Sequence, residues 1–372
     1  MKLTIERSVL LKSLGHVQSV VERRNTIPIL SNVKLDATPD GLKLNATDMD
    51  LEIVETAEAQ VQDAGATTAP AHTLHDIVRK LPDGSQIELT YNAEDSQLAL
   101  RSGRSRFSLS CLPVEDFPAM VGGEFSHNFA VSAGDLRALI DRTRFAISTE
   151  ETRFYLNGIY LHATKSDGVD VLRAVATDGH RLARFEVPLP EGAGGMPGVI
   201  VPRKTVGELR KLIDETGMDV SISLSETKVR FGFDEATLTS KLIDGTFPDY
   251  ERVIPTENDK VMEVDRKLIA DAVDRVSAIS TEKSRAIKIA LEKGVVTLSA
   301  SSPEAGSAVE EVEASFDAGP LEIGFNSRYL MDILGQIEGE AARFDMADAA
   351  SPTVIREVSD GAAIYVLMPM RV

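Results

Sequence analysis

The chain has 372 residues, with 40 Lys and Arg against 58 Asp and Glu, a formal net charge of −18. That length is long for one hydrophobic core and points to roughly two to four domains. Hydrophobic content of 43% and charged content of 26% exclude a disordered chain, and one cysteine, Cys111, excludes a disulfide framework or multi-cysteine metal site. On net charge alone, a nucleic-acid binder is disfavoured.

The start, MKLTIERSVLLK, carries Glu6, Arg7 and Lys12 through its apolar positions and lacks a secretory apolar core. No apolar run approaches the ~20 residues of a membrane span. A cytoplasmic, reducing location without membrane partners is the expectation. Lys2–Glu6 alternates as a short strand. An amphipathic helix is predicted over 9–24, with Val9, Leu10, Leu14, Val17, Val20 and Val21 on one face. Alternating strands such as GLKLNATD follow, then a helix over 73–81 and a closing strand that ends in a Phe117–Pro118 turn. The order then repeats. Asn128–Ser132 is a strand, 132–145 a helix, and GVDVLRAVATDGHRLARFEV a pair of strands. A helix over 202–217 comes next, and the closing segment carries Phe247–Pro248. A third round has a strand at Val261–Asp265, a helix over 265–280 seeded by Leu268, Ile269, Ala272, Val273, Val276 and Ile279, and a helix over 326–339. It closes on the apolar strand Tyr365–Val372.

Aligning Ile5, Val131 and Val264 gives repeat spacings of 126 and 133 residues. The fold class is therefore α+β: three copies of one unit, each with two helices and about eight strands. The domains are expected at 1–124, 125–255 and 256–372, with boundaries near Gly122–Glu124 and Pro255–Asp259 where Gly, Pro and charge cluster. Three unrelated α+β domains sharing only general patterns are the competing reading.

The six predicted helices carry 16 basic and 12 acidic residues, net +4, which leaves −22 for the rest of the chain. Helices often carry basic residues on a solvated face; alternatively the helices form a mildly basic surface toward an anion. The phosphate candidates are Arg23, Arg24, Arg79, Lys80, Arg203, Lys204, Arg210 and Lys211. Such contacts are independent of base sequence and sensitive to salt. With aromatics at 5% and no Trp, the stacking pattern of single-strand binders is absent.

Catalytic material is sparse. Asp178 and His180 of TDGHR could form an orienter–base pair, but no nucleophile motif accompanies them; the alternative is an Asp-Gly hairpin turn. His72 and His75 stand at i, i+3 without a metal-site pattern. No cofactor, no metal and no catalytic residue is expected. The apolar tail, with Met368 and Met370 around Pro369, has the adaptable surface of a peptide-binding site.

The segments PIL (Pro28–Leu30), SGRSRFSLSCLP (Ser102–Pro113), RFYLNGIYL (Arg153–Leu161), ATDGHRLA (Ala176–Ala183), IVPRK (Ile200–Lys204), SKLIDGTFPDYERVIP (Ser240–Pro255), EIGFNSRYLMDIL (Glu322–Leu334) and VLMPMR (Val366–Arg371) carry a resemblance. With them the chain resembles, end to end, the bacterial DNA sliding clamps, the beta subunits of DNA polymerase III. The resemblance implies a head-to-tail homodimer closing as a six-domain ring around double-stranded DNA, with helices inside and sheets outside. It implies no catalysis: such a ring confers processivity by tethering the replicative polymerase alpha subunit. It also docks the clamp loader and other polymerases and repair proteins through short peptides.

The peptide site implied comprises Leu156, Thr177, Gly179, His180, Arg181, Leu182, Pro248, Arg252, Val253, Pro352, Val366, Leu367, Met368, Pro369, Met370 and Arg371, with Arg181 and Arg252 at its rim. Arg23, Arg24, Phe154 and Tyr155 match the duplex-contacting loops. The dimer seam implied joins Arg104, Arg106, Phe107 and Leu109 to Ala278, Ile279, Glu304 and Glu310.

Overall fold

The computed structural model describes residues 1–120, 123–280 and 285–371. Gly122, at the first expected boundary, and Val372, in the apolar tail, lie outside the described residues.

In chain order the first elements are β1 (Lys2–Glu6), α1 (Arg7–Gln18), β2 (Asn32–Thr38), β3 (Gly41–Thr47), β4 (Leu51–Ala57), β5 (Gln60–Asp63), β6 (Gly65–Pro70), α2 (Ala71–Lys80), β7 (Gln86–Asn92), β8 (Gln97–Ser102) and β9 (Ser105–Ser110). Then come β10 (His127–Val131), α3 (Ala133–Asp141), β11 (Gly158–Ser166), β12 (Val169–Thr177), β13 (Arg181–Pro188), β14 (Val199–Pro202), α4 (Arg203–Ile213), β15 (Val220–Leu224), β16 (Lys228–Gly232) and β17 (Ala236–Lys241). The last are β18 (Lys260–Asp265), α5 (Arg266–Ser277), β19 (Ala286–Glu292), β20 (Val295–Ser302), β21 (Gly306–Phe316), β22 (Leu321–Asn326), α6 (Ser327–Leu334), β23 (Ala341–Met346), β24 (Thr353–Glu357) and β25 (Ala363–Leu367). Two helices recur in each third of the chain.

Except for α2, which starts two residues before the expected 73, the helices are shorter than their apolar periodicity suggests. The first ends at Gln18 rather than Arg24, because the Ser19 hydroxyl turns back onto the His16 carbonyl at 2.6 Å. Val20 and Val21 are still buried, but from the turn. The third helix stops at Asp141 instead of 145, where the Thr143 hydroxyl donates to the Leu139 carbonyl at 2.6 Å. The fourth ends at Ile213 and the sixth at Leu334, short of 217 and 339; Gly335 closes the latter. Asn326 caps its start by accepting from the Arg328 and Tyr329 N–H groups.

The chain divides into two compact units. Unit 1 comprises Met1–Leu136, Pro190–Met196 and Lys204–Leu242. It holds a five-stranded sheet, β5-β1-β7-β8-β9, and an eight-stranded sheet, β10-β15-β16-β17-β4-β3-β2-β6. Its helix α1 buries Leu10, Leu14 and Val17. Unit 2 comprises Arg137–Leu189, Pro197–Arg203 and the residues from Ile243 on, and holds a twelve-stranded sheet, β14-β11-β12-β13-β25-β24-β23-β18-β21-β20-β19-β22. This division cuts through the middle third of the chain. The cause is strand pairing: β17 continues the ladder of β4, and β13 continues that of β25.

Candidate functional site

Unit 2 brings the TDGHR turn and the apolar tail together. Strands β12 and β13 are joined at Thr177–Arg181, with Gly179 at φ 89°. The Asp178 carboxylate accepts from the His180 and Arg181 N–H groups at 2.9 and 3.0 Å. The Thr177 hydroxyl donates to the Arg181 carbonyl at 2.7 Å and accepts from the Gly179 N–H at 3.1 Å. Asp178 is thereby committed to the turn and does not orient the His180 ring, so the hydrolase reading loses its orienter. His72 reaches the Val21 carbonyl at 2.9 Å and forms no metal pair with His75. Among the described residues no cluster could hold a metal ion.

Beside the turn, β25 pairs with β13 in the register Leu182↔Val366 and Arg181↔Leu367. The tail then departs from the strand but stays pinned: the Met368 N–H donates to the His180 carbonyl at 2.9 Å, and the Met370 N–H to the Gly324 carbonyl at 2.8 Å. Leu156, Leu182 and Val366 belong to a buried cluster with Val175, Ile200, Phe247 and Tyr250, and Tyr155, Tyr160, Ile243, Ile254 and Ile364 pack on it half-buried. Tyr160 stacks on Phe247 at 4.8 Å and 7°. Pro248, Arg252, Val253 and Met368 are exposed beside that cluster in the chain, while Thr177, Pro352, Pro369 and Met370 are half-buried. Gly179, His180 and Arg371 are exposed.

Two implied site residues differ from expectation. Leu367 is fully buried, paired with both Arg181 and Thr353, and belongs to the sheet core. Arg181 is not at a rim. Its side chain is 10% exposed, and its guanidinium lies 5.1 Å from the Phe145 ring centre and 4.4 Å from that of Tyr329. It bonds Asp332 at 2.5 Å, the Phe145 carbonyl at 2.6 Å and Asp178 at 3.2 Å. These bonds and ring contacts make Arg181 a brace of the turn. Arg252 remains exposed and pairs with Asp249 at 2.7 Å.

Sequence reasoning missed the aromatic floor. Tyr160, Phe247 and Tyr250 lie in RFYLNGIYL and FPDYERVIP, and their aromatic spacing was the available signal. Arg173 is tied to Glu186, Tyr250 and Glu251 beneath that floor. Burial, reinforced by the Arg173 charge, pushes His162 down to about 4.

The basic candidates separate into two kinds. Arg23, Arg24 and Lys80 are exposed in unit 1. Lys204 instead points inward: its ammonium bonds the Val20 carbonyl at 3.0 Å, Glu22 at 2.5 Å and Asp48 at 2.6 Å. Arg210 pairs with Asp214 at 2.5 Å, Arg79 with Asp76 at 3.2 Å and Lys211 with Glu208 at 2.9 Å. In unit 2, Arg203 is exposed at the start of α4, and Phe154 is 52% exposed, edge-on to Tyr155.

The strand edges are also unequal. In unit 1, β9 ends its sheet with Arg104, Arg106 and Phe107 exposed just before and along it, and Leu109 buried. Phe107 lines a recess of about 460 Å³ with Ile77, Leu81 and Lys80. In unit 2, residues 306–313 of β21 pair with β20 alone among the described residues. Ala278 and Glu304 are exposed and Ile279 is half-buried. Glu310 is held by Arg275, and the hydrogen bond from that guanidinium keeps its carboxyl below the usual range.

Comparison with known proteins agrees across the whole length. Family models described as the DNA polymerase III beta subunit N-terminal, central and C-terminal domains match residues 1–121, 130–249 and 251–371. The beta sliding clamp of Caulobacter vibrioides is 58% identical over 372 residues, covering all of both chains, and that of Pseudomonas aeruginosa is 42% identical over 374. The crystal structure of the Caulobacter crescentus DNA polymerase sliding clamp is 57% identical and superposes with a TM-score of 0.95 over all of both chains. The Bartonella birtlesii clamp bound to griselimycin is 52% identical, with a TM-score of 0.97 and the same coverage.

Proposed function

This chain belongs to the DNA polymerase III beta subunit family, and from that premise we infer that it is a sliding clamp, a homodimeric ring that encircles duplex DNA and tethers the replicative polymerase. The observation that carries the reading is the family match over all three thirds of the chain. A clamp makes and breaks no bond. A head-to-tail interface that closes on itself produces a ring. Once threaded, duplex escapes only at an end or through an opened seam. Holding the polymerase at the primer terminus makes rebinding nearly intramolecular, with an effective concentration on the order of millimolar.

On this reading the domains are 1–124, 125–255 and 256–372, and the protein acts in the cytoplasm. Arg23, Arg24, Arg203, Phe154 and Tyr155 meet the duplex through screened contacts that permit sliding. Lys80 adds charge, while Arg79, Lys204 and Arg210 serve more through their ion pairs. The seam sets the β9 edge against the exposed edge of β21, with Ile279 of one chain entering the recess lined by Phe107 of the other. Partner peptides of polymerase, clamp loader and repair proteins anchor Leu and aromatic side chains on the Leu156–Phe247–Val366 floor, between the Gly179–His180 turn and Met368–Arg371.

The test is topological. After loading onto nicked circular DNA, the protein is retained through gel filtration, and cutting that DNA once releases it. Equal retention on circular and linear DNA would refute the reading.

A further inference from the structure

A cavity of about 470 Å³ in unit 2 is lined in part by Thr149, His180, Arg203, Arg328, Tyr329 and Asp332. Its acids are already engaged. Asp332 and Asp178 both bind Arg181, and Glu150 is held by two hydrogen bonds from Arg153, each 2.7 Å. Arg203 and Arg328 are exposed, and among the described residues no carboxylate bonds either guanidinium. Asp178 and Asp332 share one guanidinium and leave one surplus negative charge, so the two cations Arg203 and Arg328 make the recess net positive by one charge, on a chain of net −18. Arg328 is also the only Lys or Arg in 326–339, the least basic of the six helical segments. A general basic lining does not account for it.

The recess adjoins the peptide site. His180 is a wall of both: its carbonyl accepts the Met368 N–H, and its ring stacks on Tyr329 at 6.2 Å and 22°. We propose that this cavity is an acid-reading extension of the peptide cleft, in which a Glu or Asp flanking a partner's docking motif places its carboxylate on Arg328 and Arg203. The inference rests on the reading of the cleft as a peptide site. A carboxylate on a flexible side chain can enter a recess whose wall also carries Asp332. Arg203 is also proposed above to meet the duplex, so Arg328 is the group that distinguishes a peptide carboxylate from a phosphate.

The experiment uses the full-length homodimer and fluorescent peptides sharing one Leu-aromatic docking motif, flanked on either side by Gly-Ser or by Glu-Glu. On a protein of this net charge, acidic flanks should weaken binding unless a local cation site receives them. The expected result is that one Glu-flanked peptide binds about three- to tenfold tighter than its neutral counterpart. Arg328→Gln should abolish that gain and leave the neutral peptide's affinity unchanged. A Glu-flanked peptide that gains nothing, or a gain that survives Arg328→Gln, overturns the proposal. If Arg328→Gln instead weakens salt-sensitive retention on closed circular DNA with peptide discrimination intact, the cavity serves phosphate and the proposal falls. Failure of the neutral peptide to bind the unaltered protein removes the cleft reading, and the extension with it.

Discussion

His16 offers the sharpest test of how unit 1 is held together. Its Nδ1 lies 2.6 Å from Glu55 and its Nε2 2.8 Å from Glu215, so one imidazole ties α1 to β4 and to the turn after α4. Ser13 adds a hydrogen bond to Glu55 at 2.8 Å, and Lys12 an ion pair to Glu215 at 3.0 Å. Burial opposes the imidazolium, but the two carboxylates outweigh it and the His16 pKa is raised above 6.5. The stabilisation is therefore fully present below the unfolded value and is lost as pH rises through the folded one. Glu215 has the opposite sense: burial raises its pKa, the His16 and Lys12 bonds overcome that, and its contribution is lost on acidification. The two define a plateau near pH 6.

His16→Ala would leave Glu55, whose side chain is 5% exposed, with Ser13 as its hydrogen-bond partner among the described residues. Breaking a buried pair from one side costs about 3–5 kcal/mol. The 42% exposure of Glu215 discounts its share, so about 3 kcal/mol is expected at pH 6. As pH rises through the folded value the ring loses its proton, and about 1 kcal/mol of hydrogen bonding remains. In urea, with a slope of about 2–3 kcal/mol/M, the midpoint should fall by about 1–1.5 M at pH 6 and by well under half of that at pH 9. A loss equal at both pH values, or greater at pH 9, would refute the charge-based account.

Gly179→Ala should cost about 1–2 kcal/mol, read by thermal denaturation, because φ of 89° strains any L side chain. A Cβ there would also lie 2.6 Å from Arg153 Nη1, so docking-peptide affinity, read by anisotropy, should fall as the Gly179–His180 turn is distorted. Lys204→Ala should lower stability by about 2 kcal/mol through Glu22 and Asp48, with little change in the salt dependence of DNA retention. Arg24→Ala should do the reverse, reducing the log–log salt slope of equilibrium binding to short linear duplex by about 1 while shifting stability by less than about 0.5 kcal/mol. Ile279→Asp should turn the dimer into a 40.3 kDa species in sedimentation, and an unchanged dimer would remove Ile279 from the seam.

The repeated strand–helix order was legible because α1, α3 and α5 each follow an alternating strand, and their apolar faces mark that register. Helix ends were not. Val20 and Val21 continue the helical spacing yet are buried from a turn, since tertiary packing accepts an apolar residue from any backbone conformation. The hairpin at Asp178–Gly179 was readable from local turn chemistry. That Arg181 is buried between Phe145 and Tyr329 was not, because those rings come from positions 36 residues before and 148 after it. Lys204 shows the same limit: its neighbour Arg203 is exposed, and only the folded positions of Glu22 and Asp48 distinguish the two.

The outer edge of β9 bears on the life of the chain before assembly. A newly made protomer carries unsaturated backbone donors and acceptors beside Phe107, a template on which strands of other chains could grow. On the proposed seam, Arg106 on the strand and Arg104 just before it would act as gatekeepers: like charges repel when identical edges meet, whereas an edge backed by Glu304 would be accepted. Assembly is second order in chain concentration and opening is first order. Dilution therefore lengthens the interval over which these two arginines must keep the unassembled chain from aggregating.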